Sequence, residues 1–398
     1  MNDNFRLRPR RISRLRERLR AHLAGGGFAH TFAPMSAHEP AVPSPKAAIP
    51  GRGSGLSVPN RFERLHVERD PDADLGPDCG DTPHPRTQFY DDTSESILNP
   101  IDSPDLPMAM GLNPYRGCEH GCAYCFARPT HDYLGWDSGL AFETKIMVKR
   151  RAPELLRAAF SAKKWKPQTV SMSGVTDCYQ PAERHFRITR GCLEVFAEFR
   201  NPVAIITKNA LVTRDIDLLS DLARHRCAAV YVSVTTLDAD LAGKLEPRAA
   251  RPEHRLKTIR KLADAGIPVG VMVAPVIPGL TDAELPAILS AAAKAGATSA
   301  GYVLLRLPFS VKEVFSQWLD DHAPSKKARI LDRLRDLRGG KLYDASWVSR
   351  LQGEGVFADQ LRDLFQITAR RAGLKNERDE LATSHFRRPE EPGQLSLF

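Results

Sequence analysis

No uninterrupted apolar run in this chain approaches the roughly 20 residues that a membrane-spanning helix needs. The most apolar stretch, Ile267–Leu280, is broken by Pro268, Pro275 and Pro278. No apolar segment of signal-peptide length follows the arginine-rich start. Cysteine is scarce and odd in number, seven in 398 residues, and three of the seven crowd between positions 118 and 125. These shortages argue against a helical membrane protein and against a secreted disulfide scaffold. A soluble, cytoplasmic protein with no membrane partner is expected. Acidic charge is also short, giving a net +9, but eight arginines stand between Met1 and His22 against Asp3 and Glu17. Most of the excess therefore sits in one arm, which reads as a contact for nucleic-acid phosphates or an acidic membrane face, as a solvated tail, or as an extension upstream of a start at Met35.

At 42% hydrophobic composition the chain can bury one large core with tails to spare. Residues 1–105 are rich in Pro, Gly, Ser and Asp and read as largely disordered. From Met108 short apolar runs alternate with longer amphipathic ones, the texture of repeated βα units. Strands are expected near 110–113, 169–173, 203–207, 229–234, 269–273 and 300–305. Helices are expected near 153–163, 185–199, 214–225, 252–265 and 282–295, with another after Val311. Thr281 reads as an N-cap before Asp282 and Glu284, and Gly266 and Gly296 as C-terminal stops. Such an α/β chain can form a closed barrel, an open doubly wound sheet or a partial barrel. The strand count favours a six-stranded partial (β/α)6 barrel over 106–322, and ligands then sit at the C-terminal strand ends. Helical segments at 328–337 and 356–372 make 323–385 a C-terminal helical extension, and 386–398 reads as an extended tail.

The segment from Tyr115 to Pro129 carries the chemistry. Cys118, Cys122 and Cys125 are spaced four and then three apart, with Gly117 and Gly121 between and beside them. Three thiolates so spaced can wrap one compact inorganic centre, and glycines permit positive φ and close backbone approach. Three protein ligands on a four-iron cluster leave one iron free to bind something else. The alternative is a structural zinc, for which His120 or His131 would supply a fourth ligand. Cys79, Cys178, Cys192 and Cys227 have no ligand spacing, so no second cluster is expected.

Cys118-x3-Cys122-x2-Cys125, with Tyr124 before the last cysteine, resembles the signature of the radical S-adenosylmethionine (SAM) superfamily. The resemblance implies a [4Fe-4S] cluster on the three cysteines and S-adenosyl-L-methionine on its open iron. It also implies a reducing electron donor, flavodoxin- or ferredoxin-like. On the same resemblance, Ser173, Gly174 and Asp177, at the end of the second strand, are expected near the cofactor's ammonium group. Lys208 ends the third strand and suits its carboxylate as a point charge. Ser233 and Thr235 suit the ribose, and Met272 lies on the apolar strand that borders adenine. Leu304 and Arg306 end the sixth strand nearby. Arg248 is expected to meet the carboxylate or pair with Glu246.

Gly174–Pro181 with Glu183, and Thr207-Lys208-Asn209, look like the branch that contains spore photoproduct lyase, in particular an uncharacterised bacterial family within it. The match runs over about 107–308. Where the lyase places its hydrogen-donating cysteine this chain has Ser171 and Ser173, which leaves Cys178 as the candidate catalytic thiol. At the other end, Gln394-Leu395-Ser396-Leu397-Phe398 looks like the pentapeptide by which bacterial polymerases and repair proteins dock on the sliding clamp. The leading expectation is a radical SAM enzyme acting on DNA lesions or modified nucleotides. A radical SAM enzyme modifying RNA, a protein or a metabolite is the second. A non-catalytic zinc or iron–sulfur nucleic-acid-binding protein is the third.

Overall fold

Short runs of Val, Ile, Ala and Met that are apolar on both faces form strands only where both faces are covered. Ala228–Ser233, buried at every residue, is the extreme case. The computed structural model of the chain describes residues 49, 51–62, 86–106, 108–347, 349–376 and 380–389. All of them fall in one compact unit, Lys46–Phe398. In chain order the strands are β1 (Gln88–Asp91), β2 (Leu98–Pro100), β3 (Met110–Leu112), β4 (Tyr115–Arg116), β5 (Lys145–Val148), β6 (Val170–Met172), β7 (Val203–Thr207), β8 (Ala228–Ser233), β9 (Val269–Val276) and β10 (Ser299–Leu304).

The main sheet runs β10-β9-β8-β7-β6-β3-β2. Its six strands from β3 to β10 are parallel, and β2 adds antiparallel to β3. Each new parallel strand joins beside the last, and β10 and β2 remain the two ends. The sheet is a partial barrel with the six expected strands.

Alternation along β8 and β9 assigns the two faces. Val230, Val232, Val271 and Val273 pack into the large core under the helices. Ala229, Tyr231 and Met272 gather on the other, concave face with Ala204. The crossover helices cover the first face: Ile188–Phe199, for example, buries Cys192, Leu193, Val195, Phe196 and Phe199. Gly266 and Gly296 follow two of these helices at φ +73° and +103°, as C-terminal stops do. Thr281 occupies the N-cap position of a 3-10 turn but makes no side-chain capping bond. Its hydroxyl accepts from the Ile277 amide at 2.9 Å, and helix Leu285–Lys294 starts after a 3-10 turn at Asp282–Glu284.

Two features depart from the sequence reading. Within the stretch expected to be disordered, Arg86–Leu106 supplies β1 and β2, and β1 pairs with β5 in a second sheet, β1-β5-β4. Residues 51–62 also pack on the barrel. Arg61 and Phe62 of the expected amphipathic piece are described; Glu63–Leu65, the basic arm and Cys79 lie outside the described residues. Past helix Val356–Arg371, Lys375 bridges to the start of β10. Phe386 then packs against Phe160 and Phe199. Gln394–Phe398 lies outside the described residues. Among the described residues no helix is long and apolar enough to cross a membrane.

Candidate active site

The loop after β4 carries the three cysteines, and it is built from the backbone outward. Gly117 and Gly121 adopt φ +79° and +65°. A Cβ on Gly121 would lie 2.6 Å from Glu143 Oε2, and one on Gly117 would lie 2.8 Å from the His131 ring. Glycine is therefore required twice.

The loop's polar groups are tied down from several elements. Arg128, fully buried, donates to the Cys122 carbonyl from Nε at 3.1 Å and Nη2 at 2.8 Å, and to the Gly139 carbonyl at 2.7 Å. Its Nη2 also meets Glu143 Oε1 at 2.5 Å. Gln180 accepts from the Glu119 amide at 2.9 Å and donates to the Gly117 carbonyl at 3.1 Å. The Ala123 amide reaches the Leu245 carbonyl at 3.0 Å.

The donor set fits an iron–sulfur cluster. All three thiols are free; Cys118 and Cys122 are buried and Cys125 nearly so. Burial pushes each of them up, and Asp177, Cys122 and Cys125 push Cys118 further. Thiols pushed up in this way ionise when a cationic centre binds them. Among the described residues neither histidine joins the thiols as a fourth zinc ligand. His120 lies 3.0 Å from the Asn209 amide group and 3.4 Å from Asp177. His131 spends Nε2 on the Lys145 carbonyl at 2.9 Å, and burial lowers it to about 4. Among the described residues no three His, Cys, Asp or Glu side chains converge as ligands of a single ion.

A buried polar cluster lies beside the loop, at the C-terminal ends of β7, β8 and β9. Tyr124 donates to Glu246 Oε1, and its hydroxyl lies 3.2 Å from that of Thr235. Thr235 lies 2.7 Å from the same carboxylate oxygen and 3.1 Å from the Ala274 carbonyl. Lys208 Nζ donates to that carbonyl at 3.1 Å and stands 4.0 Å from Glu246. Arg255 pairs with the other Glu246 oxygen and donates to the Ser233 carbonyl at 3.0 Å. Burial alone would raise Glu246; Arg255 and Lys208 outweigh it and hold the carboxyl at about 2. Sequence reasoning missed Arg255 and the centrality of Glu246. An arginine on the buried face of helix Pro252–Asp264, beside Thr258, Ile259 and Leu262, was the one available signal.

Other expected site residues are distributed unevenly. Asp177 ties the β6 loop to β7, taking the Thr207 hydroxyl at 2.8 Å and the Lys208 amide at 2.7 Å. Ser173, at φ +76°, accepts from the Cys178 amide at 2.8 Å. At Gly174 a Cβ would meet nothing within 4 Å, so the loop is open there. Met272 lines a cavity of about 420 Å³ on the concave face with Tyr231, Gly301, Val303 and Arg362.

Three expectations are corrected. Arg248 does not pair with Glu246; it meets Glu119 at 3.1 Å and Thr87 at 3.3 Å, and its amide holds the His120 carbonyl. Leu304 packs in the helix-side core with Ala300 and Tyr302, on the face that alternation along β10 gives it, whereas Val303 faces the other side. Cys178 is fully enclosed in that same core rather than open to the loop, and burial pushes its thiol well up.

Residues 112–292 match the family model described as the radical SAM superfamily. The chain is 35% identical over 252 residues to an uncharacterized protein of Mycobacterium tuberculosis, covering 63% of this chain and 73% of that one. It is 26% identical over 198 residues to a protein named radical SAM Nalpha-GlyT isomerase of Pseudomonas phage M6, covering 49% and 39%. Among solved structures, spore photoproduct lyase complexed with dinucleoside spore photoproduct superimposes with a TM-score of 0.54 at 15% identity, over 72% of this chain and 81% of that one. That likeness is one of fold.

Proposed function

The chain belongs to the radical SAM superfamily, and from that premise we propose an enzyme that works on DNA, at a lesion or a modified nucleotide. Its cofactors are those of the family, a [4Fe-4S] cluster and S-adenosylmethionine. When bound, they supply an electron to the sulfonium and a 5′-deoxyadenosyl radical that abstracts hydrogen from the substrate.

The chain's own residues set the frame for that chemistry. Cys118, Cys122 and Cys125 are the proposed cluster ligands, held in register by Arg128, Glu143 and Gln180. Lys208 is the proposed partner of the cofactor's carboxylate, with Glu246 and Tyr124 fixing its position. Thr235 and Ser233 are proposed for the ribose, and Met272 for the adenine. Residues 51–56 and the loop itself exclude water and oxygen from the thiolates.

The observation that carries the radical-enzyme reading is the clamped loop of three free thiols, two of them buried and one partly so. The nucleic-acid reading draws on a different feature. Phe62, Tyr133 and Phe309 are 56%, 71% and 56% exposed. The Arg61 guanidinium lies 4.7, 5.1 and 4.2 Å from their ring centres. Exposed rings threaded by arginine are a stacking platform for unpaired bases. A fold of this shape receives a dinucleoside photoproduct in one solved neighbour. The C-terminal pentapeptide suits delivery to the sliding clamp, and the electron donor is proposed to be flavodoxin- or ferredoxin-like.

The test incubates reduced, cluster-loaded protein with SAM and damaged or modified DNA, and follows 5′-deoxyadenosine and altered nucleosides. A new nucleoside dependent on SAM supports the reading; alteration of only RNA, protein or metabolite pools moves the enzyme to another substrate. Deletion of Gln394–Phe398 should abolish capture by the clamp and leave SAM cleavage intact. Clamp capture that survives the deletion overturns the reading of the tail.

A further inference from the structure

Arg306 follows β10 at the C-terminal rim of the barrel. Its guanidinium stacks 4.1 Å from the ring centre of Phe126, the residue next to Cys125. Among the described residues, no carboxylate or carbonyl oxygen lies within hydrogen-bonding or ion-pair distance of Arg306. The nearby anions are committed elsewhere. Asp105 takes Arg350 in a two-pronged pair, 2.6 Å on each oxygen. Asp344 takes the Ser346 and Ser349 hydroxyls at 2.8 and 2.5 Å. Arg338, the third guanidinium here, spends Nη2 on the Leu305 carbonyl at 2.7 Å and keeps its buried Nε without a partner.

Positive charge is thus in excess around a half-buried arginine. Burial and the neighbouring Arg350 both act against its charged form, an arrangement that an incoming anion relieves. Two contacts locate this vacancy relative to the chemistry. Phe126 joins Arg306 to the cysteine loop. Asp105, whose charge acts on Arg306, lines the concave-face cavity with Tyr231 and Met272.

We infer that Arg306, stacked on Phe126, is an oxyanion anchor for the substrate, taking a phosphate between the cysteine loop and the cavity. A planar fork with its face covered by a ring and its donors free is matched to phosphate oxygens, which it can bind in two-pronged fashion. The assignment of that phosphate to a nucleic-acid strand rests on the function proposed above. The anion site itself does not. Lys208, which follows β7 and donates to the Ala274 carbonyl, is left to serve the cofactor's carboxylate.

The experiment uses full-length, cluster-loaded protein without oxygen, with Arg306→Gln and Arg306→Lys as variants. Binding is measured for a short single-stranded thymidine oligonucleotide, its uncharged methylphosphonate counterpart, inorganic pyrophosphate and SAM. Arg306→Gln should weaken the phosphate oligonucleotide and pyrophosphate at least about tenfold, with Arg306→Lys intermediate. The methylphosphonate strand should bind wild type and variant alike. Cluster absorbance and SAM affinity, unchanged, report that the variant is folded. If pyrophosphate depends on Arg306 but no oligonucleotide binds the wild type, the anion site stands and the nucleic-acid reading falls. Equal pyrophosphate binding by wild type and Arg306→Gln overturns the site, as does a variant that loses SAM affinity instead.

Discussion

Arg128 and Glu143 form an ion pair at 2.5 Å in which neither side chain has any solvent exposure. The arginine spends its remaining donors on the Cys122 and Gly139 carbonyls, and the carboxylate's second oxygen accepts the Gly53 amide at 3.1 Å. The pair thus joins the cysteine loop, the segment Gly139–Glu143 and the strap at 51–56.

Removing one member leaves a buried charge alone, at a cost of about 3–5 kcal/mol. Arg128→Met should therefore yield protein that binds well under half the wild-type iron on anaerobic reconstitution. Glu143→Gln keeps an acceptor for Arg128 and should retain more cluster than Arg128→Met. Equal iron content in all three proteins would contradict this role.

Gly53 crosses directly over the cysteine loop. A Cβ there would fall 1.6 Å from the Gly121 carbonyl oxygen, so Gly53→Ala cannot keep the strap seated. The expected outcome is normal cluster loading without oxygen but faster bleaching in air, several-fold by absorbance. Gly51, where a Cβ would meet nothing within 4 Å, is the control position, although its φ of +75° carries a backbone cost of its own.

Glu246 links ionisation to stability. Its folded-state value, about 2, lies below the 4.5 of the free group. Its contribution is present above pH 4.5 and is lost as the pH falls towards 2. In denaturant titrations of cluster-free protein, the stability gap between wild type and Glu246→Gln should be flat from about pH 8 to 5 and narrow below that. A gap that widens on acidification would give the opposite sign and refute the assignment.

Cys178 offers a contrast between packing and catalysis. Cys178→Ala should cost about 1–2 kcal/mol as a small buried truncation and leave the rate of 5′-deoxyadenosine formation within about twofold. A loss of hydrogen return to the substrate, seen as abortive products, would restore the catalytic role to this thiol.

The sequence disclosed those parts of the fold and site that depend on local pattern. The six parallel strands were legible because each is a short apolar run with a helix after it. The cysteine loop was legible because its ligands lie within eight residues. β1 was not, since all four of its residues are exposed and no burial alternation marks an edge strand. Glu246's partner was not, because Arg248 and Arg255 are both near in sequence and only the turn into helix Pro252–Asp264 chooses between them. Leu304 was misplaced although alternation along β10 sets it with Ala300 and Tyr302 on the helix side and leaves Val303 facing the other way. Arg306 was seen as a strand end, but its lack of a partner emerges only when Asp105 is brought to Arg350 from 245 residues away.

The most direct measurement is spectroscopy of anaerobically reconstituted protein together with its SAM cleavage. Wild type should carry about four irons and four sulfides per chain. The paramagnetic signal of its reduced form should change when SAM is added, and 5′-deoxyadenosine should form. Each of Cys118→Ala, Cys122→Ala and Cys125→Ala should lose all three properties. A colourless protein with one zinc, or a cluster whose signal is indifferent to SAM, would contradict the account.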